Sequence, residues 1–377
     1  MSINLMTRLG ELGKISKGLT PVVSVYLDTR WADEHQRDRV RVFLKNELAR
    51  AREASSNRAA DSDLDWIESQ GDALVGQATM PEGVGVALFA CEGVGLREHL
   101  SVRVPFEDAF VVADTPLLRP LAVLAEATPA ALLIFVDAES ARLWVLTTAG
   151  VAPEVVLEGE TEEHPRVAGG AQMAQTGYDR RRGAEREHHF GLVAKRVAEL
   201  VDSNGIDRLI VAGEPRNLAL LRNALPTSMA GHIVGEIAGS RDEAGHVLVR
   251  RAAEVLSRAE GQRHAEEVDT VLVTAAKGGK AAAGVDAALG AVKRGAVHRL
   301  YLLRDFGESG RVCVACGDLG RGSHELCRLC GKLTRPVDLA EAMVHRVISA
   351  GGTVAAVPAH IALSGAGGVA ARLRFPL

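Results

Sequence analysis

Short apolar runs bounded by turn residues alternate along this chain with longer stretches in which apolar residues recur every three or four positions. Runs of the first kind predict buried strands, and stretches of the second kind predict amphipathic helices. A strand is predicted over Pro21–Thr29, followed by a charged helix over Glu34–Arg52 with Val40, Phe43, Leu44 and Leu48 on its buried side. The first segment also predicts a helix over 61–74 and strands over 83–91 and 100–104.

The middle of the chain shows strands separated by helices. Two apolar stretches that begin at Ala131 and Ala141 predict a hairpin-like pair, and a third strand follows Ala152. Beyond them the pattern predicts a strand over 208–212, a helix led by Gly213-Glu214-Pro215, a strand over 232–237 and a long helix from Asp242 to about Glu267. This alternation is typical of an α/β fold with a mixed sheet.

The last part of the chain continues the α/β pattern around an inserted segment rich in cysteine. A buried strand is predicted over 300–303, and beyond the insertion a helix over 337–349 and strands over 353–357 and 369–375. A proline-rich break that ends at Pro129 marks the first domain boundary. We therefore predict three α/β domains over 1–127, 128–266 and 267–377, with the cysteine module at about 311–334 inserted in the third.

Composition narrows the classes of function. Hydrophobic residues make up 47% of the chain, which excludes wholesale disorder, and a formal net charge of −4 argues against a protein that coats nucleic acid non-specifically. Contact with RNA must then be local, through a patch such as Arg180–Arg186. The segment MSINLMTRLGELGK lacks the apolar core of a signal peptide, and no apolar run approaches the length of a membrane span. We predict a cytoplasmic protein with no membrane partner.

The stretch over 164–200 carries the main candidate for a functional loop. It contains Gly169-Gly170-Ala171-Gln172, then three arginines, Arg180, Arg181 and Arg182, after which a helix is predicted to begin. The apolar face of that helix consists of Phe190, Val193, Val197 and Leu200. Two glycines leave backbone N–H groups open to close approach, and glutamine supplies a donor and an acceptor on a long arm. Such a tip on a basic stalk suits insertion into an RNA-lined pocket.

The pair of glycines is weak evidence by itself. A chain with 39 glycines in 377 residues is expected to contain about four Gly-Gly pairs by chance, and four occur. The motif therefore gains its meaning only from the residues around it.

Four of the five cysteines form two copies of one motif, Cys313-Val-Ala-Cys316-Gly and Cys327-Arg-Leu-Cys330-Gly. The C-x-x-C step lets two thiolates meet one metal ion, and the glycine accepts the turn that frees backbone N–H groups for the sulfurs. Four thiolates predict a structural, tetrahedral Zn²⁺ site in a zinc-ribbon-like module. The alternatives are a pair of redox dithiols, four unrelated buried thiols, or a site in which His324 replaces one cysteine. The fifth cysteine, Cys91, is predicted to be an ordinary buried residue of a strand.

Motifs of the common enzyme classes do not occur. Lys277-Gly-Gly-Lys280 lacks the spacing of the phosphate-binding loop G-x-x-x-x-G-K-[ST], and there is no G-x-S-x-G around an activated serine. A side-chain nucleophile therefore has no support in the sequence.

These motifs, in this order, resemble the superfamily of archaeal and eukaryotic class I peptide-chain release factors and Pelota, and most closely its bacterial branch. PVVSVYLDT with its charged helix is similar to the N-terminal domain of the bacterial members, and LLIFVDAESARLWVL resembles the opening strands of the middle domain. The segments from Gly284 and from Lys293 resemble the third domain, where archaeal release factors also carry a four-cysteine zinc module. The resemblance implies three α/β domains of release-factor and Pelota type and binding to the ribosomal A site and its rRNA.

The resemblance also implies roles for particular residues. Gly169, Gly170 and Gln172 correspond to the catalytic Gly-Gly-Gln of the family, with Ala171 inserted, which fits the Gly-x-x-Gln pattern of the peptidyl-tRNA-cleaving Vms-type relatives. The basic helix, with Arg180, Arg181, Arg182 and Arg186, would contact RNA phosphates. Peptidyl-tRNA and a translational GTPase are the further partners implied. The Asn-Ile-Lys-Ser signature used to read stop codons is absent.

Three hypotheses for the function stay open. In the first, the chain binds the A site in ribosome hibernation or rescue, as Balon-type factors are understood to occupy idle ribosomes without the hydrolytic loop. In the second, it is a peptidyl-tRNA hydrolase, in which the N–H groups of Gly169 and Gly170 face the reacting ester and Gln172 positions a water molecule. In the third, it is a stand-alone α/β protein with an incidental glycine loop.

Overall fold

The computed structural model describes residues 5–15, 20–30, 34–54, 60–77, 84–158 and 171–376, with side chains from residue 183 onward in the last range. Over these residues the strands form sheets of four, five, four and three strands with helices packed against them, which confirms the predicted α/β class. No helix within these ranges combines the length and the apolar character that a bilayer span requires.

The chain divides into two compact units, Met1–Ala127 with Gly261–Leu377 and Thr128–Glu260. The division into three domains at 127 and 266 stays a prediction.

The first sheet is built around a strand that is buried on both faces. The elements of this segment are α1 (Leu5–Gly13), β1 (Val22–Asp28), α2 (Glu34–Ala54), α3 (Asp61–Val75), β2 (Gly85–Cys91), β3 (Leu96–Val102), β4 (Ala109–Ala113) and α4 (Arg119–Ala127). The strands pair antiparallel in the order β3-β2-β1-β4. Val23, Val25 and Leu27 of β1 pack with α2 and α3, whereas Tyr26 faces the opposite core.

The unit Thr128–Glu260 holds one mixed sheet with helices on both faces. Its elements are β5 (Ala131–Val136), β6 (Ser140–Leu146), β7 (Val155–Glu158), α5 (Ala171–Asn204), β8 (Leu209–Ala212), α6 (Pro215–Ala224), α7 (Thr227–Ala230), β9 (Ile233–Ile237) and α8 (Gly245–Ala276), which continues beyond the unit. The strand order is β7-β6-β5-β8-β9, antiparallel up to β5 and parallel after it. Along β5, Leu132 and Ile134 pack with α5 and α6, whereas Leu133 and Phe135 pack with α8.

Two helices are longer than the periodicity predicted. α5 begins at Ala171, so the predicted start after Arg182 was wrong. The helix was predicted from its apolar stripe, which begins only at Phe190. The described side chains just before His189 are not packed in a core, so they contribute no apolar period. α8 runs to Ala276, so its predicted end near Glu267 was also wrong. Val268 and Val271 continue the apolar stripe of the helix and pack in the core of a different sheet.

The C-terminal elements complete the first unit. They are β10 (Ala281–Ala283), α9 (Val285–Lys293), β11 (Val297–Leu303), β12 (Ser309–Cys313), β13 (Leu319–Arg321), β14 (Thr334–Asp338), α10 (Leu339–Ser349), β15 (Thr353–Val357), α11 (Ile361–Gly365) and β16 (Val369–Leu373). One sheet has the order β10-β16-β11-β15, and the cysteine module forms a small sheet in the order β13-β12-β14. Residues of α9, α10 and β11 share one apolar core with Leu9, Tyr26 and Leu121 from the start of the chain.

A poorly solvated carboxylate lies at the start of α10. The Oε2 atom of Glu341 has no hydrogen-bond partner among the described residues. Burial raises the pKa of Glu341 from 4.5 to about 7; the charge of Arg119 opposes the rise and that of Asp338 adds to it. The folded protein therefore favours the protonated form of this side chain.

We predict that Glu341 makes the folded protein less stable as the pH rises from 4.5 to about 7. The unfolded chain ionises first, so the contribution is fully present below the unfolded pKa and is lost as the pH passes through the folded one. A shift of this size corresponds to about 3 kcal/mol. Urea unfolding across this pH range should show a shallower pH dependence for Glu341→Gln than for wild type. Identical pH dependence in the two proteins would contradict the assignment.

Candidate functional site

Helix α5 begins inside the predicted Gly-Gly-Ala-Gln motif. Gly169 and Gly170 lie outside the described residues. Because the helix begins at Ala171, Gln172 belongs to its first turn and not to the extended loop that we predicted; the side chain of Gln172 is outside the described part. The first N–H groups of a helix have no partner within it and carry partial positive charge. The backbone beside Gln172 therefore has the polarity that favours a negatively charged group.

The second half of α5 is anchored by apolar side chains. Phe190, Val193 and Val197 are at most 2% exposed and pack in the core formed with β5, β6 and β8. The predicted apolar face is confirmed for these three residues, whereas Leu200 is only partly buried and Val201 is buried beside them. The side chains over 183–188 are exposed or half-buried. The sheet thus holds the second half of α5, and the side chains over 183–188 are not part of that core.

The predicted RNA-binding arginines are part of the helix. Arg180, Arg181 and Arg182 occupy helical positions, and their side chains lie outside the described part. Arg186, one turn after Arg182, is half-buried and lines a cleft of about 560 Å³ with Arg216 of α6. We missed Arg216 from the sequence, because only the packing of α6 on α5 brings it there.

The four cysteines of the cysteine module converge on one point. Their sulfur atoms all lie within 4.8 Å of one another. The Sγ–Sγ distances are 3.4 Å from Cys313 to Cys330, 3.5 Å from Cys330 to Cys316 and 3.6 Å from Cys316 to Cys327. A disulfide would require about 2.0 Å. Sulfurs placed about 2.3 Å from a tetrahedral zinc ion would lie about 3.8 Å apart, close to the observed spacing.

Both C-x-x-C-G copies fold into the same turn. Gly317 and Gly331 have φ angles of +72° and +68°, in the region that favours glycine. Each glycine N–H donates to the carbonyl oxygen of the first cysteine of its pair, at 3.0 and 2.9 Å. The N–H of Cys316 points at Sγ of Cys313 at 3.4 Å. Hydrogen bonds from the backbone, that of Cys316 first, lower the pKa of Cys313 to about 6, which favours the thiolate that binds metals.

The module is tied to the helices on either side of it. Arg346 of α10 donates a hydrogen bond to the carbonyl oxygen of Gly317, and Lys293 of α9 pairs with Asp318 at 2.5 Å. The alternative in which His324 replaces a cysteine has no support in this geometry, because its Nε2 contacts Arg328 and His324 is not part of the cluster. The four cysteines are therefore placed to hold one metal ion, and tetrahedral thiolate coordination makes zinc our prediction.

We predict that the purified protein contains one zinc ion per chain and that Cys313→Ser or Cys330→Ser releases it. In such modules the free energy of metal binding, on the order of 10 kcal/mol in small zinc peptides, is what stabilises the fold. Loss of the metal should therefore unfold the module, while the unit Thr128–Glu260 stays folded. Plasma mass spectrometry measures the metal. Cys91→Ser removes a buried thiol outside the cluster and should retain the zinc. Freshly purified wild-type protein without zinc would refute the assignment.

Residues 116–270 match the model of the family described as bacterial archaeo-eukaryotic release factor family 10. Among solved structures, the archaeal translation termination factor aRF1 is 19% identical, over 98% of this chain and 97% of that chain, with a TM-score of 0.27. Pelota of Archaeoglobus fulgidus is 16% identical, over 98% of this chain and 92% of that chain, with a TM-score of 0.37. An archaeal Pelota, from a model of the ribosome-bound protein with ABCE1, is 16% identical over 99% of this chain and 94% of that chain, with a TM-score of 0.40.

None of the curated proteins matches this chain. The segment matched by the family model contains α4, the whole sheet from β5 to β9, and helix α5 with the Gly-Gly-Ala-Gln motif and the arginines. The family match thus relates the segment over 116–270, which is less than half of the chain, to the bacterial archaeo-eukaryotic release factors.

Proposed function

We propose that this protein is a ribosome-associated translation factor that occupies the A site in hibernation or rescue and does not decode stop codons. The family match supports a role in translation, because it covers the sheet and helix that carry the candidate site. The absence of the Asn-Ile-Lys-Ser signature argues against stop-codon reading. In this proposal the protein binds ribosomal RNA. The contact is local, because a net charge of −4 does not suit general coating of nucleic acid.

The observation that carries this proposal is the division of α5 into an anchored half and a basic half. The helix has 34 residues, which corresponds to a length of about 51 Å. Burial of Phe190, Val193 and Val197 fixes its second half on the sheet, so the direction of the first half is fixed as well. The positions from Gln172 to Arg186 belong to the turns that precede this anchored half. Arginine is suited to phosphate contacts because its planar guanidinium offers several donors at once.

The basic surface is wider than the run of three arginines. Arg186 and Arg216 line the cleft between α5 and α6 together with Asn223, so two helices contribute donors to the same depression, which also holds one carboxylate, that of Glu187. Its floor is partly apolar, since Phe190 and Leu220 also line it. A combination of guanidinium groups with apolar contacts suits a nucleic-acid strand, whose phosphates are charged and whose sugars and bases are less polar.

Peptidyl-tRNA hydrolysis is the second candidate, and the Gly-Gly-Ala-Gln motif is the observation that favours it. The unpaired N–H groups at the start of α5 could stabilise the oxyanion that forms as water attacks the ester, and the Gln172 amide could position that water. The inserted Ala171 moves the amide one residue further from the glycines than in Gly-Gly-Gln. For this reason we put A-site binding first.

We predict that replacing Arg180, Arg181 and Arg182 with Glu weakens binding to purified ribosomes and flattens its dependence on salt. Each phosphate contact contributes roughly one unit of slope, so a decrease of about two to three units is expected in a plot of log affinity against log salt concentration. A control with three other arginines changed to Glu, Arg41, Arg50 and Arg258, has the same net charge and should bind like wild type. Equal loss in the control, or unchanged binding in the triple variant, would argue against α5 as the contact.

We predict that Gln172→Ala leaves ribosome affinity nearly unchanged. Nascent-chain release from purified stalled complexes separates the two candidate functions. If the hydrolase reading holds, wild type releases the chain and Gln172→Ala reduces the rate by at least about tenfold, because a group that positions water acts in the transition state. Deletion of Ala171, which restores Gly-Gly-Gln, should then raise the rate. Under A-site binding alone, wild type occupies the site and leaves the ester intact, and release by wild type would contradict it.

A further inference from the structure

A basic cleft of about 660 Å³ lies in the unit that contains Gly261–Leu377, away from the residues discussed so far. It opens between the second half of α8 and the ends of β10, β11 and β16. We call it the sheet-end cleft and define it by its cationic and imidazole residues, which are Arg263, Lys280, His298, Arg372 and Arg374. Two carboxylates, Glu266 and Glu267, also line it, so its Lys and Arg side chains outnumber its acidic ones.

The strand geometry directs these side chains into the cleft. Residues of a strand alternate between faces, so Arg372 shares the face of Ala370, which packs in the core with residues of α8; Arg374 follows directly after the strand and lines the same cleft. On β11, Val297 pairs with Leu373 and Arg299 pairs with Arg372, which leaves His298 as the extra residue of a β-bulge. Bulges re-aim a side chain that regular pairing would direct elsewhere. His298 accordingly lines the same cleft as the two arginines.

The carboxylates near the cleft are engaged elsewhere. Glu267 pairs with Arg263 and accepts a hydrogen bond from the Tyr301 hydroxyl at 2.9 Å. Arg299 pairs with Glu126 and lies 3.5 Å from Glu267. Glu266, the other carboxylate of the lining, accepts from Gln262 at 3.1 Å. Glu267 therefore neutralises Arg263, whereas no salt bridge among the described residues joins either carboxylate of the lining to Lys280, Arg372 or Arg374.

The cations of the strands are left without such partners. Within the described part of the chain, no salt bridge involves Lys280, Arg372 or Arg374. Arg372 lies directly opposite Arg299 in the sheet, and like charges in that position destabilise strand pairing. Burial raises the pKa of Tyr301, and the positive charge of Arg372 is one of those that oppose this rise. Tyr301 lines the cleft, so the Arg372 guanidinium contributes to the positive potential there. Arg374 donates a hydrogen bond to the carbonyl oxygen of Ala350 at 2.6 Å, whereas Arg372 has no such structural contact among the described residues.

We propose that the sheet-end cleft binds phosphate groups, with Arg372 and Arg374 as the main ligands and Lys280 and His298 beside them. Guanidinium groups bind phosphate oxygens in pairs, and the lysine ammonium adds a point charge. The imidazole of His298 can donate a further hydrogen bond. The phosphates belong either to a nucleotide or to an RNA backbone, and the two sources share this chemistry. The site is separate from α5, and the proposal does not depend on ribosome binding.

The test compares the full-length wild type with Arg372→Ala/Arg374→Ala. Both arginines are exposed, so the fold should tolerate the change. Two further double variants serve as controls: Arg372→Lys/Arg374→Lys keeps the charge, and Arg50→Ala/Arg258→Ala removes two exposed arginines outside the cleft. Calorimetric titration with inorganic triphosphate tests a small phosphate ligand. Fluorescence anisotropy with a short single-stranded RNA tests a backbone, in proteins that also carry Glu at 180–182 so that α5 does not contribute.

The expected result is that wild type binds one of the two probes and that the alanine variant binds it at least about tenfold more weakly, since charge-assisted hydrogen bonds are lost. The lysine variant should retain most of the affinity, and the control outside the cleft should match wild type. Loss of triphosphate binding identifies a nucleotide-like ligand. Loss of RNA binding alone, with a salt slope lower by about 1.4 units, identifies an RNA backbone. No binding of either probe by wild type, or equal binding by the alanine variant, would overturn the proposal.

Discussion

The packing of the apolar stripe of α5 on the mixed sheet is the constraint on which the proposed function depends. Phe190, Val193 and Val197 are almost fully buried, and side chains of this size each contribute roughly 1.5–3 kcal/mol when removed from water. Because an α-helix is stiff, fixing these residues on β5, β6 and β8 also fixes the axis of the preceding turns. The sheet therefore orients the segment that carries Gln172 and the arginines, although the core itself begins only at His189 and Phe190.

The cysteine module has a different source of stability. Cys313, Leu319 and Cys327 are buried, whereas Leu326, Leu329 and Leu333 are 59%, 74% and 64% exposed. A three-stranded sheet with so little buried apolar surface is too small to fold by hydrophobic burial alone, and a metal ion is a usual replacement for a core. The convergence of four sulfurs, with a thiolate favoured at Cys313, provides the ligands that such an ion would need. Arg346 and Lys293 then tie the module to the helices around it.

Much of this architecture follows from local patterns, and the failures share a physical cause. The cysteine spacing predicted the cluster, and the continuous apolar runs predicted β1, β5 and β6, because those signals are contained within a few residues. Sequence reasoning missed β4, a short edge strand whose residues are mostly half-buried and so lack a clear period. The predicted end of α8 was too early and the predicted start of α5 was too late, since no single residue in the sequence marks those helix ends. Arg216, Arg372 and Arg374 gained a role only through packing and strand register, which one sequence does not display.

The central claim is that this chain occupies the ribosomal A site through the basic half of α5. The most direct measurement is sedimentation of the purified protein with ribosomes whose A site is either empty or filled with tRNA. The account predicts stoichiometric binding to ribosomes with an empty A site and loss of binding when tRNA fills it. Equal binding to both kinds of ribosome, or no binding to either, would contradict it.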